Sequence, residues 1–202
     1  MFKLLIATNN AHKLDEYREI FACLPLALVS LADEGITLDP EETGATFEEN
    51  AILKAEAFAQ VSHLPVLADD SGLEIDALGG EPGVYSARYG NTTKDDHKGR
   101  YTMVLDKLAA QNTPWAERTA RFRCVIAVAA QDKLIGTVDG TVEGIIDYEA
   151  KGENGFGYDP IFFIPEFNQT LGQLSSEQKH AISHRGRAAE AAISLIQRLL
   201  KP

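Results

Sequence analysis

Two adjacent carboxylates, a hydroxyl and a glycine, Asp69-Asp70-Ser71-Gly72, stand directly after the apolar run Pro65-Val66-Leu67-Ala68. Neighbouring carboxylates can gather a divalent cation or take a proton from water. The apolar run reads as the end of a buried strand. A strand core does not accept unpaired charge, so the acids are expected where the strand leaves the sheet. That edge is where open α/β sheets bind ligands. Successive strand side chains point to opposite faces, so Asp69 and Asp70 are expected to have different jobs. The same residues are ordinary turn formers, and this pentapeptide leaves turn and active site equally open.

Other stretches carry similar potential. Thr8-Asn9-Asn10-Ala11-His12-Lys13 joins an apolar run to a helical pattern. Such a loop can offer backbone N–H groups and a helix start to an anion, which would explain a lysine where the helix dipole disfavours one. A plain connection with an exposed lysine is the simpler reading, and neither common phosphate-loop motif is present. Glu42 closes an acidic, turn-rich stretch, and Asn50 and Lys54 lie four apart on one helix face. Gly155-Phe156-Gly157-Tyr158-Asp159 allows a backbone to approach a flat ligand, with Phe156 either stacking on it or anchoring the loop in the core. Lys179 falls near the end of a short helix from about Ser176. His184, Arg185 and Arg187 crowd the opening of the last helix, suggesting an anion or a carbonyl-rich ligand; alone, His184 reads as structural and Arg187 as surface charge.

The elements that must position these groups follow from hydrophobic periodicity. Strands are expected at Phe2–Thr8, Leu26–Leu31, Pro65–Ala68, Leu73–Leu78, Arg118–Ala130, Lys133–Ile146 and Ile161–Ile164. The fifth and sixth would form a hairpin at Gln131-Asp132, with Gly136, Gly140 and Gly144 marking bulges or bends. Helices are expected from about His12 to Cys23, from a Thr46/Glu49 capping box to about Ser62, over Thr92–Ala110, and over Ala188–Leu200. The second would turn Phe47, Ala51, Ala55, Phe58 and Ala59 inward, and the third Met103, Leu105, Leu108 and Ala109. The glycine-rich loop from Gly79 to Gly90 is long enough to be functional, as a lid or an interface segment.

Composition narrows the function classes. The 202 residues suit one large domain or two small lobes. A net charge of −11 argues against a broad nucleic-acid surface. No segment has the length and apolarity of a membrane span or the pattern of a signal peptide, so a soluble, cytoplasmic protein is expected, with neither nucleic acid nor membrane as partner. Cys23 and Cys124 form no zinc or disulfide pattern and are expected to be buried, reduced thiols.

Taken together and in order, Thr8–Lys13, Glu42-Thr43-Gly44, Phe47–Lys54, Ala68–Leu73, Gly79–Tyr89, Gly155–Phe162 and Ser183–Ala188 resemble the inosine triphosphate pyrophosphatase family, over nearly the whole chain. The resemblance implies a mixed α/β fold: a long twisted sheet flanked by helices, one domain over residues 1–202 in two lobes with the site in a cleft between them. It also implies a homodimer. The implied activity is hydrolysis of ITP, dITP and XTP to the monophosphate and pyrophosphate. By position it assigns the triphosphate to Thr8, Asn9, Asn10, Ala11, His12 and Lys13. Glu42 and Asp70 would hold Mg²⁺, with Asp70 the catalytic base. Lys54 and Ser71 would attend the phosphates, and Phe156, Gly157, Tyr158, Asp159, Lys179, His184 and Arg185 would bind the base. His184 and Arg185 would donate to a 6-oxo purine. Asn9 replaces the family's usual glycine, and Thr170-Leu171-Gly172-Gln173 replaces Thr-Phe-Ala-Glu. A nucleotide sensor without chemistry and a pyrimidine triphosphate diphosphatase are the rival readings.

Overall fold

The computed structural model describes residues 2–93, 95–131 and 133–200. Among these, seven strands form one sheet in the order β2-β1-β3-β4-β5-β6-β7. The strands are β1 (Phe2–Ile6), β2 (Leu26–Ser30), β3 (Pro65–Ile75), β4 (Thr119–Ala130), β5 (Lys133–Ile146), β6 (Phe162–Ile164) and β7 (Gln169–Thr170). The helices are α1 (Ala11–Ile20), α2 (Phe47–Ser62), α3 (His97–Ala110), α4 (Ser176–Ile182) and α5 (His184–Leu200). β1 pairs in parallel with β2 and β3, whereas β6 pairs antiparallel with β5 and β7. The sheet is therefore mixed, as expected.

The chain divides into two compact units. The first takes the chain up to Asp70, then Cys124–Gly140, then everything from His184 on; the second takes Ser71–Arg123 and Thr141–Ser183. Each has its own core. In the first, Leu4, Ile6, Tyr17, Phe21, Leu67, Ile126 and Val128 pack with Ala188, Ala192 and Ile196 of α5. In the second, Leu73, Ile75, Val104, Leu108, Phe122, Ile146 and Phe162 are among the buried members. Two cores of this kind suit a chain of 202 residues.

Several expectations change. The acids do not sit at a turn: β3 runs unbroken from Pro65 through Asp69, Asp70, Ser71 and Gly72 to Ile75. Charge is tolerated inside the strand because both carboxylates are paired. α3 starts at His97, capped by Asp96, not at Thr92, and Arg100, Val104 and Leu108 form its buried face, leaving Ala109 exposed. α5 begins four residues earlier than its apolar periodicity, so His184 and Arg185 lie in its first turn. The glycine-rich loop folds largely into 3-10 turns over Gly83–Asn91. β5 runs through its three glycines. A Cβ on Gly140 would run into the carbonyl oxygen of His184, so this glycine admits the α5 backbone against the strand. Cys23 is exposed rather than buried. The expected hairpin turn includes Asp132, which lies outside the described residues.

Candidate active site

The first unit gathers most of the expected phosphate-handling residues. Asn10 caps α1, its side chain accepting from the N–H groups of His12 (3.0 Å) and Lys13 (3.3 Å). Asparagine at this position satisfies helix-start donors that the sequence reading had offered to an anion. Thr8 Oγ1 in turn accepts from Asn10 N–H at 3.1 Å. Asn9 is not among the residues with positive φ, so position 9 makes no demand for glycine; its Nδ2 donates to Asp39 Oδ1 at 3.2 Å. Ala11 and His12 are exposed.

Alternation along β3 separates the two acids. Asp69 is 3% exposed. Its Oδ2 accepts from Lys13 Nζ at 2.8 Å and lies 3.5 Å from an Arg185 terminal nitrogen and 3.7 Å from Cys124 Sγ. Burial alone would raise its pKa, but Lys13, Arg185 and Lys54 outweigh burial and hold the carboxyl well below the usual range. Arg185 is itself buried and bonds Glu16 Oε2 at 2.5 Å. Cys124 is pushed up to about 12 by burial and by the Asp69 charge.

Asp70 faces α2 instead. Its Oδ2 accepts from Asn50 Nδ2 at 3.1 Å, and its Oδ1 lies 3.4 Å from Lys54 Nζ. Lys54 Nζ also donates to Glu42 Oε1 at 2.7 Å. One ammonium thus joins the two carboxylates that the family resemblance pairs across twenty-eight positions. The partners do not shift symmetrically. Burial would lower Lys54, yet Asp70 and Glu42 hold it above its ordinary value. Asp70 is raised, because burial and the Glu42 charge act together against Lys54 and Lys13.

α2 supplies these groups because its cap and apolar face fix its rotation. Thr46 Oγ1 accepts from Glu49 N–H at 3.1 Å; Glu49 reaches back one residue further than a capping box requires, to Ala45 N–H. Phe47, Ala51, Ala55, Phe58 and Ala59 are all buried as expected.

The second unit holds its own cluster. Asp159 Oδ2 accepts from Phe156 N–H and from Lys179 Nζ, both at 2.7 Å. Lys179 Nζ lies 4.9 Å from the Phe156 ring centroid, and His97 faces the same ring at 6.3 Å. Tyr158 is the loop's core anchor, buried with its hydroxyl donating to Ser86 O at 2.8 Å; Phe156 is half-buried. Gly157 lies between them with φ +65°. Ser71, half-buried in β3, also belongs to this unit. Gln173 caps Thr170 N–H at 3.0 Å, doing locally what a glutamate there would do.

The sequence carried no signal for Glu16 and His97 as members of these clusters; Asn50 was expected only to share with Lys54 a helix face apart from the apolar one, and it is buried instead.

Among the described residues no three His, Cys, Asp or Glu side chains form a metal-holding group. Glu42 and Asp70 nevertheless meet on the one Lys54 ammonium, a pair of oxygen donors of the kind a hard divalent cation takes with waters completing its shell.

Carboxylates and ammonium groups converging beside a central strand can serve a phosphorylated ligand, directly through the ammonium groups and by way of a cation through the carboxylates. The Ham1 family model matches residues 4–195, and the chain belongs to that family. A relative from Desulforamulus reducens, named dITP/XTP pyrophosphatase, is 46% identical over 98% of this chain and 96% of its own. One from Bacillus subtilis with the same name is 47% identical over 98% of both. The structure of a HAM1 protein from Coxiella burnetii superposes with a TM-score of 0.85 at 40% identity, covering 98% of this chain and all of that one.

Proposed function

We propose that this chain hydrolyses non-standard purine nucleoside triphosphates (dITP, XTP and ITP) to the nucleoside monophosphate and pyrophosphate. One observation carries the reading: in a Ham1-family chain whose relatives are named for this activity, a single ammonium, Lys54, holds Glu42 and Asp70 together.

Glu42 and Asp70 would hold Mg²⁺, which when bound neutralises phosphate charge and acidifies water. Asp70 accepts the proton of the water that attacks the α-phosphorus. In the metal-free protein burial raises its pKa, the direction that favours accepting a proton. Lys13 and Lys54 stabilise charge on the phosphate oxygens as the α–β bridge breaks. Thr8, Asn9, Asn10, Ala11 and His12 shape the loop that carries Lys13 to the triphosphate, and Ser71 offers its hydroxyl to a phosphate oxygen. Phe156 stacks on the purine, with Gly157, Tyr158, Asp159 and Lys179 holding its loop. His184 and Arg185 donate to the 6-oxo group, a position where adenine presents a donor instead. Glu16 and Asp69 fix the plane of the Arg185 guanidinium. We further propose a homodimer acting in the cytoplasm, with neither nucleic acid nor membrane as partner; the net charge of −11 supports the former exclusion, and no helix among the described residues is long and apolar enough to cross a membrane.

The test is a nucleotide panel with Mg²⁺ in ¹⁸O-water. Expected are pyrophosphate release, label in the monophosphate, and preference for dITP, XTP and ITP over ATP, GTP and pyrimidine triphosphates. Release of orthophosphate, or no preference for 6-oxo purines over ATP, would sink the proposal.

A further inference from the structure

We infer that Asn50 is a positioning residue that sets Glu42 and Asp70 against each other, and the inference rests on reading those two as the reacting carboxylates. Asn50 is fully buried in α2. A buried amide is costly unless both ends are bonded, and here both are. Its Oδ1 accepts from Gly44 N–H at 2.8 Å, in the loop that carries Glu42. Its Nδ2 donates to Asp70 Oδ2 at 3.1 Å. The Gly44 N–H also decides which way the amide faces, because only the oxygen can accept from it.

Lys54, one turn further along α2, spans the same gap from Glu42 Oε1 to Asp70 Oδ1. Each oxygen of Asp70 thus has its own partner, and the plane of the carboxylate is fixed. Lys54 is a charged group that substrate phosphates can draw on. Asn50 is neutral and buried, so it keeps the spacing while charges move around it. Gly44 completes the fit: a Cβ there would come within 2.7 Å of both Asn50 Oδ1 and Glu49 Cβ.

The experiment compares the whole chain carrying Asn50→Leu, which keeps the shape and removes both bonds, with Gly44→Ala, which keeps the amide and displaces the loop. Ala55→Gly weakens the same helix away from the carboxylates, and Asp70→Asn tests the underlying reading. Each is scored by melting temperature, nucleotide KM, kcat, Mg²⁺ half-saturation, and Mn²⁺ binding to the nucleotide-free protein. For Asn50→Leu and Gly44→Ala we expect kcat and Mn²⁺ affinity to fall about 10- to 100-fold, with nucleotide KM held within about twofold. Ala55→Gly should lower only the melting temperature. If Asn50→Leu does not fold, Gly44→Ala carries the test. The inference is overturned if the folded variants keep kcat and metal half-saturation within about twofold of the parent chain. It is equally overturned if their losses merely follow melting temperature, as in Ala55→Gly. If Asp70→Asn itself keeps full turnover, the reading of the site has failed rather than the role of Asn50.

Discussion

Lys54 Nζ lies 2.7 Å from Glu42 Oε1, a bond that ties the middle of α2 to a loop with no regular structure. The same ammonium reaches Asp70, so a divalent cation taking those oxygens competes with it. A triphosphate offers Lys54 other partners and eases that competition. Lys54→Met should therefore bind Mn²⁺ more tightly than the parent chain when no nucleotide is present, while kcat falls about 10²- to 10³-fold. Mn²⁺ titration followed by electron paramagnetic resonance, beside steady-state kinetics, checks both halves. Unchanged or weaker metal binding would remove the competition from the account.

Asp70→Asn should abolish turnover, by about 10²-fold or more, without lowering the melting temperature. Burial raises the Asp70 pKa, so the folded protein binds its proton more tightly than the unfolded chain does. The ionised form is then a net cost to stability at neutral pH, relieved as pH falls through the folded value. That relief belongs to the metal-free protein, because Mg²⁺ on the same carboxylate would oppose the rise. Turnover assays, and thermal melts of both chains across about pH 4 to 7 without metal, check the two effects.

Asp69 should behave in the opposite way. Its folded pKa is depressed by Lys13, Arg185 and Lys54, so the unfolded state binds more protons. The stabilisation is present above the unfolded value of about 3.9 and is lost as pH falls below it toward the folded value. Asp69→Asn should flatten that acid slope. At neutral pH it should cost about 3–5 kcal/mol, because Lys13 and Arg185 lose a shared buried counter-charge. Denaturant unfolding from about pH 2 to pH 7 measures both effects.

Cys124 is buried and its thiol is pushed up to about 12, whereas Cys23 is exposed. A thiol reagent at pH 8 should label one cysteine in the native protein, Cys23, and both after unfolding. Mass spectrometry of the labelled peptides decides it; fast native labelling of Cys124 would contradict its burial beside Asp69.

Much of this was legible in the sequence because local patterns dominate where elements are long. β5 falls at Lys133–Ile146 as its run of strand residues indicates, and α2 follows its threonine cap and apolar stripe. β3 was misread because two acids look like a strand end. Only long-range partners, Lys13 fifty-six residues before Asp69 and Lys54 sixteen before Asp70, make charge tolerable inside it. The same limit hid Glu16 and Arg185, 169 positions apart, whose pairing no local window contains. Asn50 was grouped with Lys54 on a face apart from the apolar stripe, since its burial depends on Gly44 and Asp70 arriving beside it.

The interleaving of the first unit bears on how the chain folds during synthesis. Asp69 gains its Arg185 contact only after a further 116 residues have been made. Until then that carboxylate has only the Lys13 and Lys54 charges, and the apolar side of β1 lacks Ala188, Ala192 and Ile196 to cover it. A nascent chain long enough to contain every strand would still carry an open sheet face and a half-neutralised acid. Ribosome-bound intermediates of this protein are therefore expected to expose that face until α5 has been made.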